Sequence, residues 1–200
     1  MAQETEAKFY VQRPDELQKR VEGLPAKQVD TRVHELNLRF DTPDGELQRA
    51  GRVLRLRQDK RVRLTYKDSE RMAPGTLSRR EVEVTVGDFG TTRELLEALG
   101  YQVVFIYEKY RSTYTLGRLE IVLDELPYGH FIEIEGPETE IRPAAHRLGL
   151  HWDAVIRESY HLLFERARLS RKWPFADLTF QDLKDIQVTA ADLGVTAADV

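Results

Sequence analysis

Eight segments of the chain alternate, residue by residue, between polar and apolar side chains: Glu4 to Val11, Gln28 to Thr42, Arg52 to Gln58, Arg61 to Lys67, Ser78 to Val86, Gln102 to Leu116, Arg118 to Asp124 and His130 to Gly136. Successive residues of a strand point to opposite faces, so a period of two marks a strand and sorts its side chains into two sets. One set holds Glu4, Glu6 and Lys8; Arg55 and Arg57; Arg63, Thr65 and Lys67; Arg79, Glu81 and Glu83; Lys109, Arg111 and Thr113; Glu120 and Asp124; Glu133 and Glu135. The other holds Leu54, Leu56, Leu64, Tyr66, Val82, Val84, Leu119, Ile121, Leu123, Ile132 and Ile134. Such a chain builds an antiparallel sheet with one apolar face and one charged face.

Two architectures satisfy that pattern. In one the charged face is simply solvated and helices cover the apolar face. In the other the eight strands close into a small barrel whose lumen holds the charges. The polar set is rich in Arg and poor in Ser, Asn and Gln. It balances eight bases (Lys8, Arg55, Arg57, Arg63, Lys67, Arg79, Lys109, Arg111) against eight acids (Glu4, Glu6, Glu81, Glu83, Glu120, Asp124, Glu133, Glu135). In a narrow lumen these charges are costly unless they bind something highly charged. The Arg55/Arg57 and Lys109/Arg111 pairs also suit cross-strand ion pairs with Glu81 and Glu83.

Three helices are predicted between the strands: Pro14 to Glu22, Thr92 to Leu99, and Trp152 to Leu169. The last carries Val155, Ile156, Ser159, Tyr160, Leu163, Phe164 and Ala167 on one stripe, which places Tyr160 in the core. His130 and His161 read as surface or packing histidines. Residues 170–200 stand apart, with Val188 to Leu193 recurring as Val195 to Val200. They are expected as a C-terminal extension, short helices or a frayed tail, with Trp173, Pro174, Phe175 and Phe180 as anchors to the barrel or to a second subunit of a homodimer.

Composition narrows the chemistry. The 200 residues contain no cysteine, which excludes disulfides, thiolate metal sites and cysteine nucleophiles. The net charge of −4 argues against general adhesion to nucleic acid or anionic membrane, and no apolar run approaches a membrane span. A soluble, cytoplasmic protein is expected. The five histidines show no ligand spacing, so zinc is not expected, and no P-loop is present. Glu4 and Glu6, like Glu133 and Glu135, project side by side from one strand. Oxygen-only ligands suit Mg²⁺ or Mn²⁺, and forked arginines with lysines suit phosphate oxygens. A linear triphosphate fits both.

Glu4-Thr5-Glu6-Ala7-Lys8 resembles the E-x-E-x-K signature of the CYTH superfamily, the triphosphate tunnel metalloenzymes. Further blocks follow in the family's order: Phe40 to Asp44 with Gly51 to Arg57, Leu64 to Lys67, and Arg79 to Glu83. Glu108 to Tyr114, Leu123 to Leu126, Gly129 to Gly136 and Ser159-Tyr160 resemble the class IV adenylate cyclase branch. The resemblance spans about residues 4 to 165 and implies an α+β fold: an eight-stranded antiparallel closed β-barrel, or tunnel, with helices packed outside, over residues 1–169. It implies metal binding by Glu4, Glu6, Glu133 and Glu135, and phosphate binding by Lys8, Arg55, Arg57, Lys67, Arg79, Lys109 and Arg111. Glu4, Glu6, Asp124 and Glu133 are the implied catalytic acids. Asn37 and Arg39 depart from the family's second block and offer a purine no aromatic platform. The expected activity is metal-dependent hydrolysis of a triphosphate. The alternative is a class IV adenylate cyclase, and the third reading a polyphosphate-binding module without catalysis.

Overall fold

The computed structural model describes residues 3–69, 71–73 and 76–200, with the side chains of 3–4, 71–73 and 76–79 outside the description. Nine strands form one antiparallel sheet: β1 (Gln3–Val11), β2 (Lys27–Asp41), β3 (Val53–Gln58), β4 (Val62–Lys67), β5 (Arg71–Ala73), β6 (Thr76–Val86), β7 (Gln102–Leu116), β8 (Leu119–Leu126) and β9 (Gly129–Glu135). Their order is β1-β9-β8-β7-β2-β3-β4-β6-β5. The eight expected strands are all present, and β5 is a three-residue addition that pairs with β6. β1 pairs with β9 from Glu6 to Val11 and with β6 from Gln3 to Glu6.

Helices cover most of the apolar face and leave Val82 and Val84 of β6 exposed. α1 (Pro14–Glu22) starts on a proline, carries Asp15 and Glu16 in its first turn and Lys19 and Arg20 in its last, and buries Leu17 and Val21. With α4 (Glu138–Arg147) it packs over Phe9, Val11, Ile121, Ile132 and Ile134. α3 (Phe89–Ala98) places Leu96 against Leu38, Phe40 and Leu56. It begins three residues before the expected Thr92, because Asp88 caps it through the Thr91 N–H at 2.7 Å. α4 was not anticipated, since Pro143 lies inside it and masks the Ile141, Ala144, Ala145 repeat. α2 (Glu46–Arg49) is a single short turn. Gly129 sits at φ 146°, where a Cβ would lie 2.8 Å from the Tyr10 ring, so the β8–β9 turn requires glycine there.

The third expected helix is broken. Trp152–Ala154 forms a 3₁₀ turn, Ile156 donates its N–H to the Lys8 carbonyl at 2.8 Å, and only α5 (Tyr160–Arg171) is α-helical, capped by Ser159. Val155 and Ile156 therefore leave the stripe, and the N-terminus of α5 is turned toward the charged face of the sheet.

The segment after residue 170 packs rather than frays, and it takes backbone groups the sheet leaves over. β8 pairs with β7 only from Tyr110 onward. Beyond that point Leu178 donates to the Ile106 carbonyl at 2.9 Å and accepts from the Glu108 N–H at 3.0 Å. β6 pairs with β1 only as far as Glu6, and Ala198 donates to the Tyr10 carbonyl at 3.0 Å. Leu178, Leu183, Leu193 and Ala197 join Phe105, Phe164 and Trp173 in one core, with the single turn α6 (Ala190–Leu193) on its rim. No described helix is long and apolar enough to cross a membrane.

Candidate functional site

A cavity of about 470 Å³ lies on the charged face. Strand alternation supplies its walls. β1 contributes Glu6 and Lys8, β3 Arg55 and Arg57, β4 Arg63 and Lys67, β6 Glu81 and Glu83, β7 Lys109 and Arg111, β8 Glu120, and β9 Glu133 and Glu135. Of the expected site residues, Glu6, Lys8, Arg55, Arg57, Lys67, Lys109, Arg111, Glu133 and Glu135 are thus brought together. The side chains of Glu4 and Arg79 lie outside the described residues, although their backbones face each other across β1 and β6.

Like charges stand in rows. Glu6 is opposite Glu135 and Glu135 opposite Glu120, across β1, β9 and β8. Arg39 is opposite Arg55 and Arg57 opposite Arg63, across β2, β3 and β4. Directly opposed like charges destabilise a sheet unless counter-charges intervene. Three buried N–H groups on the basic side, Asn37 Nδ2, Arg55 Nε and Arg63 Nε, have no acceptor among the described residues. An acid row and a base row with idle donors are arranged to receive a cation and a polyanion.

The remaining bases are held by buried acids. Asp124, with no exposed side-chain surface, accepts from Lys109 Nζ at 2.9 Å, from Arg111 Nε at 2.6 Å and from the Tyr160 hydroxyl at 2.9 Å. It is not among the residues that line the cavity. It accepts from two bases that do line it and so orients them. Glu133 lies 3.3 Å from Lys8 and 2.7 Å from Arg111. Burial pushes its carboxyl up, but Lys8, Arg111 and Lys109 outweigh this and hold it well below the usual carboxylate range. The partners of Arg57, Lys109 and Arg111 are Glu35, Asp124 and Glu133, not the expected Glu81 and Glu83. Those two instead pair with Lys67 at 2.7 Å and Arg63 at 3.7 Å.

Four contributors escaped the sequence reading. Glu35 lies 3.2 Å from Arg57 and 3.5 Å from Lys109, and their charges override its burial to keep its carboxyl far below the ordinary range. Its face assignment was hidden because β2 shifts register three times. Tyr160 lines the cavity rather than the core, with Lys8 Nζ 4.3 Å from its ring centroid. His161 lines it too, 4.4 Å from Phe105; burial first, then Arg39, pushes its imidazole down to about 4. Tyr107, stacked on Phe105 at 5.5 Å, is the fourth. Stepping back two residues at a time from Lys109 reaches both Tyr107 and Phe105, a signal the alternation did contain. These aromatic groups beside Arg39 also supply the flat surface that Asn37 and Arg39 themselves lack.

The CYTH domain model matches residues 2–147 of the 200. The chain belongs to the CYTH family. Among CYTH-like solved structures, a Vibrio parahaemolyticus protein with a provisional adenylate cyclase name shares 23% identity, over 78% of this chain and 94% of that one, with a TM-score of 0.70. A Pyrococcus horikoshii protein shares 27% identity over 78% of this chain and 96% of its own, with a TM-score of 0.68. A Hippeastrum protein, provisionally an adenylyl cyclase and described as having a dominant triphosphatase activity, shares 20% identity over 81% of this chain and 95% of its own, with a TM-score of 0.62. No curated protein matches the chain. Ser159, Tyr160 and His161 reach the CYTH cavity from beyond the matched residues.

Proposed function

We propose that this CYTH protein is a metal-dependent triphosphatase that holds a linear triphosphate, inorganic or as part of an organic molecule, inside a tunnel. The β1–β6 pairing over Gln3–Glu6 supports closure of the sheet into that tunnel. The observation that carries the function is that the acids Glu6, Glu135 and Glu120 and the arginines Arg39, Arg55, Arg57 and Arg63 line one cavity.

Arg55, Arg57 and Arg63, with Lys8, Lys67, Lys109 and Arg111, bind the phosphate chain through charged hydrogen bonds. Arg79, whose side chain lies outside the described residues, is assigned to the same group from the alternation of β6 in the sequence. Lys109 and Arg111 are already oriented by Asp124, so little reorganisation accompanies binding. The donor set beside them is all oxygen, which suits a hard cation. Mg²⁺ or Mn²⁺ held by Glu4, Glu6, Glu133 and Glu135 would neutralise phosphate charge as it develops. Among the described residues no three acidic or histidine side chains converge on one point, so a cation there would also draw on Glu4 and on the oxygens of the substrate. Water attacks the terminal phosphorus and the bridging P–O bond breaks, so phosphate leaves together with pyrophosphate from inorganic triphosphate, or with the organic diphosphate from an organic one. Positioning and charge stabilisation supply most of the acceleration.

One observation favours the cyclase reading: Phe105, Tyr107 and His161 form an aromatic corner of the cavity on which a nucleobase can stack. Incubation with inorganic triphosphate, ATP or thiamine triphosphate, each with Mg²⁺ or Mn²⁺, separates the readings. Phosphate release supports the triphosphatase. Cyclic AMP with pyrophosphate from ATP supports the cyclase, and tight binding without turnover supports a binding module.

A further inference from the structure

Tyr107 is an unusual wall for a cavity built of charges. It stands on β7 two residues before Lys109, directly opposite Asn37 of β2, and lines the cavity with only 8% of its surface exposed. Its phenol oxygen accepts from Arg55 Nη1 at 3.4 Å. The other charges that act on it are Arg57 of β3 and Lys109 of β7. Arginine and lysine are donors only, so none of them accepts the phenolic proton. The Asn37 Oδ1 beside it already accepts from Arg57 Nε at 3.0 Å. The elements packed around it add Glu35 and Arg39 from β2, His161 and Tyr160 from α5, and Tyr128 from the β8–β9 turn. The carboxylate of Glu35 is engaged with Arg57 and Lys109. Among the described residues the Tyr107 O–H therefore has no recorded acceptor, and it lies where the bases gather an anion.

We infer that Tyr107 is a substrate-binding residue whose neutral phenol donates its hydrogen bond to a phosphoryl oxygen in the cavity, making triphosphate affinity depend on the proton it carries. This rests on the triphosphate reading of the cavity and adds to it one contact and one pH dependence. Burial pushes the phenol up, but Arg55, Arg57 and Lys109 outweigh burial and bring it down to about 8. Below that pH the phenol donates. Above it the free protein carries a phenolate that repels the phosphate chain and spends the cationic charge the chain would use. Binding a polyanion offsets the same cations and raises the phenol again, so triphosphate and the proton bind with mutual support.

The test compares wild type with Tyr107→Phe, which keeps the ring packed on Phe105 and removes only the hydroxyl. Binding of inorganic triphosphate is measured by calorimetry without added metal at pH 7 and pH 9; the ratio of the two proteins' Kd values cancels the ionisation of the triphosphate itself. The expected result is a Kd about tenfold weaker for Tyr107→Phe at pH 7, with the ratio falling to one or below at pH 9. The ultraviolet tyrosinate signal of wild type minus Tyr107→Phe should titrate with a midpoint near 8, and triphosphate should move that midpoint upward. Equal Kd values at pH 7, or a ratio unchanged at pH 9, overturn the assignment of Tyr107 while leaving the triphosphate site standing. Failure of the wild type to bind triphosphate at either pH overturns both.

Discussion

At the scale of single residues, the buried acids decide whether the cavity can exist before any ligand arrives. Lys8, Lys67, Lys109 and Arg57 are all buried, and each lies within 3.3 Å of a carboxylate. Unpairing a buried charge typically costs 3–5 kcal/mol, so the acids hold the bases ready as well as apart. Glu35 shows this most clearly. Its pKa in the folded protein lies below the ordinary 4.5, so its contribution to stability is complete above about pH 4.5 and is lost as the pH falls below that value. Glu35→Gln should lower stability by about 3 kcal/mol at pH 7. Thermal melts from pH 7 down to pH 3 should show the gap between wild type and variant narrowing below pH 4.5; a constant gap would contradict the linkage. Glu35 also marks where strand alternation stops being legible. The charged positions of β3, β4 and β9 follow a period of two, and the alternation in the sequence places Arg55, Arg57, Arg63, Lys67, Glu133 and Glu135 on the face that lines the cavity. The irregular register of β2 against β7 broke that count.

At the scale of elements, the chain after residue 147 does more than its composition suggests. The break before α5 aims Tyr160 and His161 into the cavity, and periodicity could not reveal it because Val155 and Ile156 fit the helical stripe equally well. What overrides the helix is the Lys8 carbonyl, which takes the Ile156 N–H. Near the other end of this region Asp199, almost fully buried, accepts from the backbone N–H groups of Gln12 at 2.9 Å and Arg13 at 2.7 Å, just ahead of α1. α1 has no side-chain cap of its own at Arg13, so an acid 186 residues away receives the chain there. Long-range pairing of this kind leaves no mark in a local window. Asp199→Ala should lower stability by about 2 kcal/mol, the scale of lost hydrogen bonds to a charged group, with turnover of triphosphate kept within twofold. Chemical denaturation checks the first, and an unchanged midpoint would remove Asp199 from the account.

At the scale of the whole molecule, the cavity is polarised. Acids stand next to acids along β1, β9 and β8, and arginines next to arginines along β2, β3 and β4. Glu6→Gln should lose more than tenfold in triphosphatase activity at limiting Mg²⁺. Full activity under that condition would remove Glu6 from the metal site. Strand alternation in the sequence identifies the charged set, and counted back from Lys109 it reaches Tyr107 and Phe105, whereas His161 joins them from α5 only through packing. Because a triphosphate chain uses the charged groups and the Tyr107 hydroxyl, while only a nucleotide uses the ring faces of the corner, the most direct measurement is kcat/KM for inorganic triphosphate and for ATP on the same preparation, with products identified. The account predicts a higher value for inorganic triphosphate, phosphate as the released product and no cyclic AMP. A clear preference for ATP with cyclic AMP and pyrophosphate as products would contradict it.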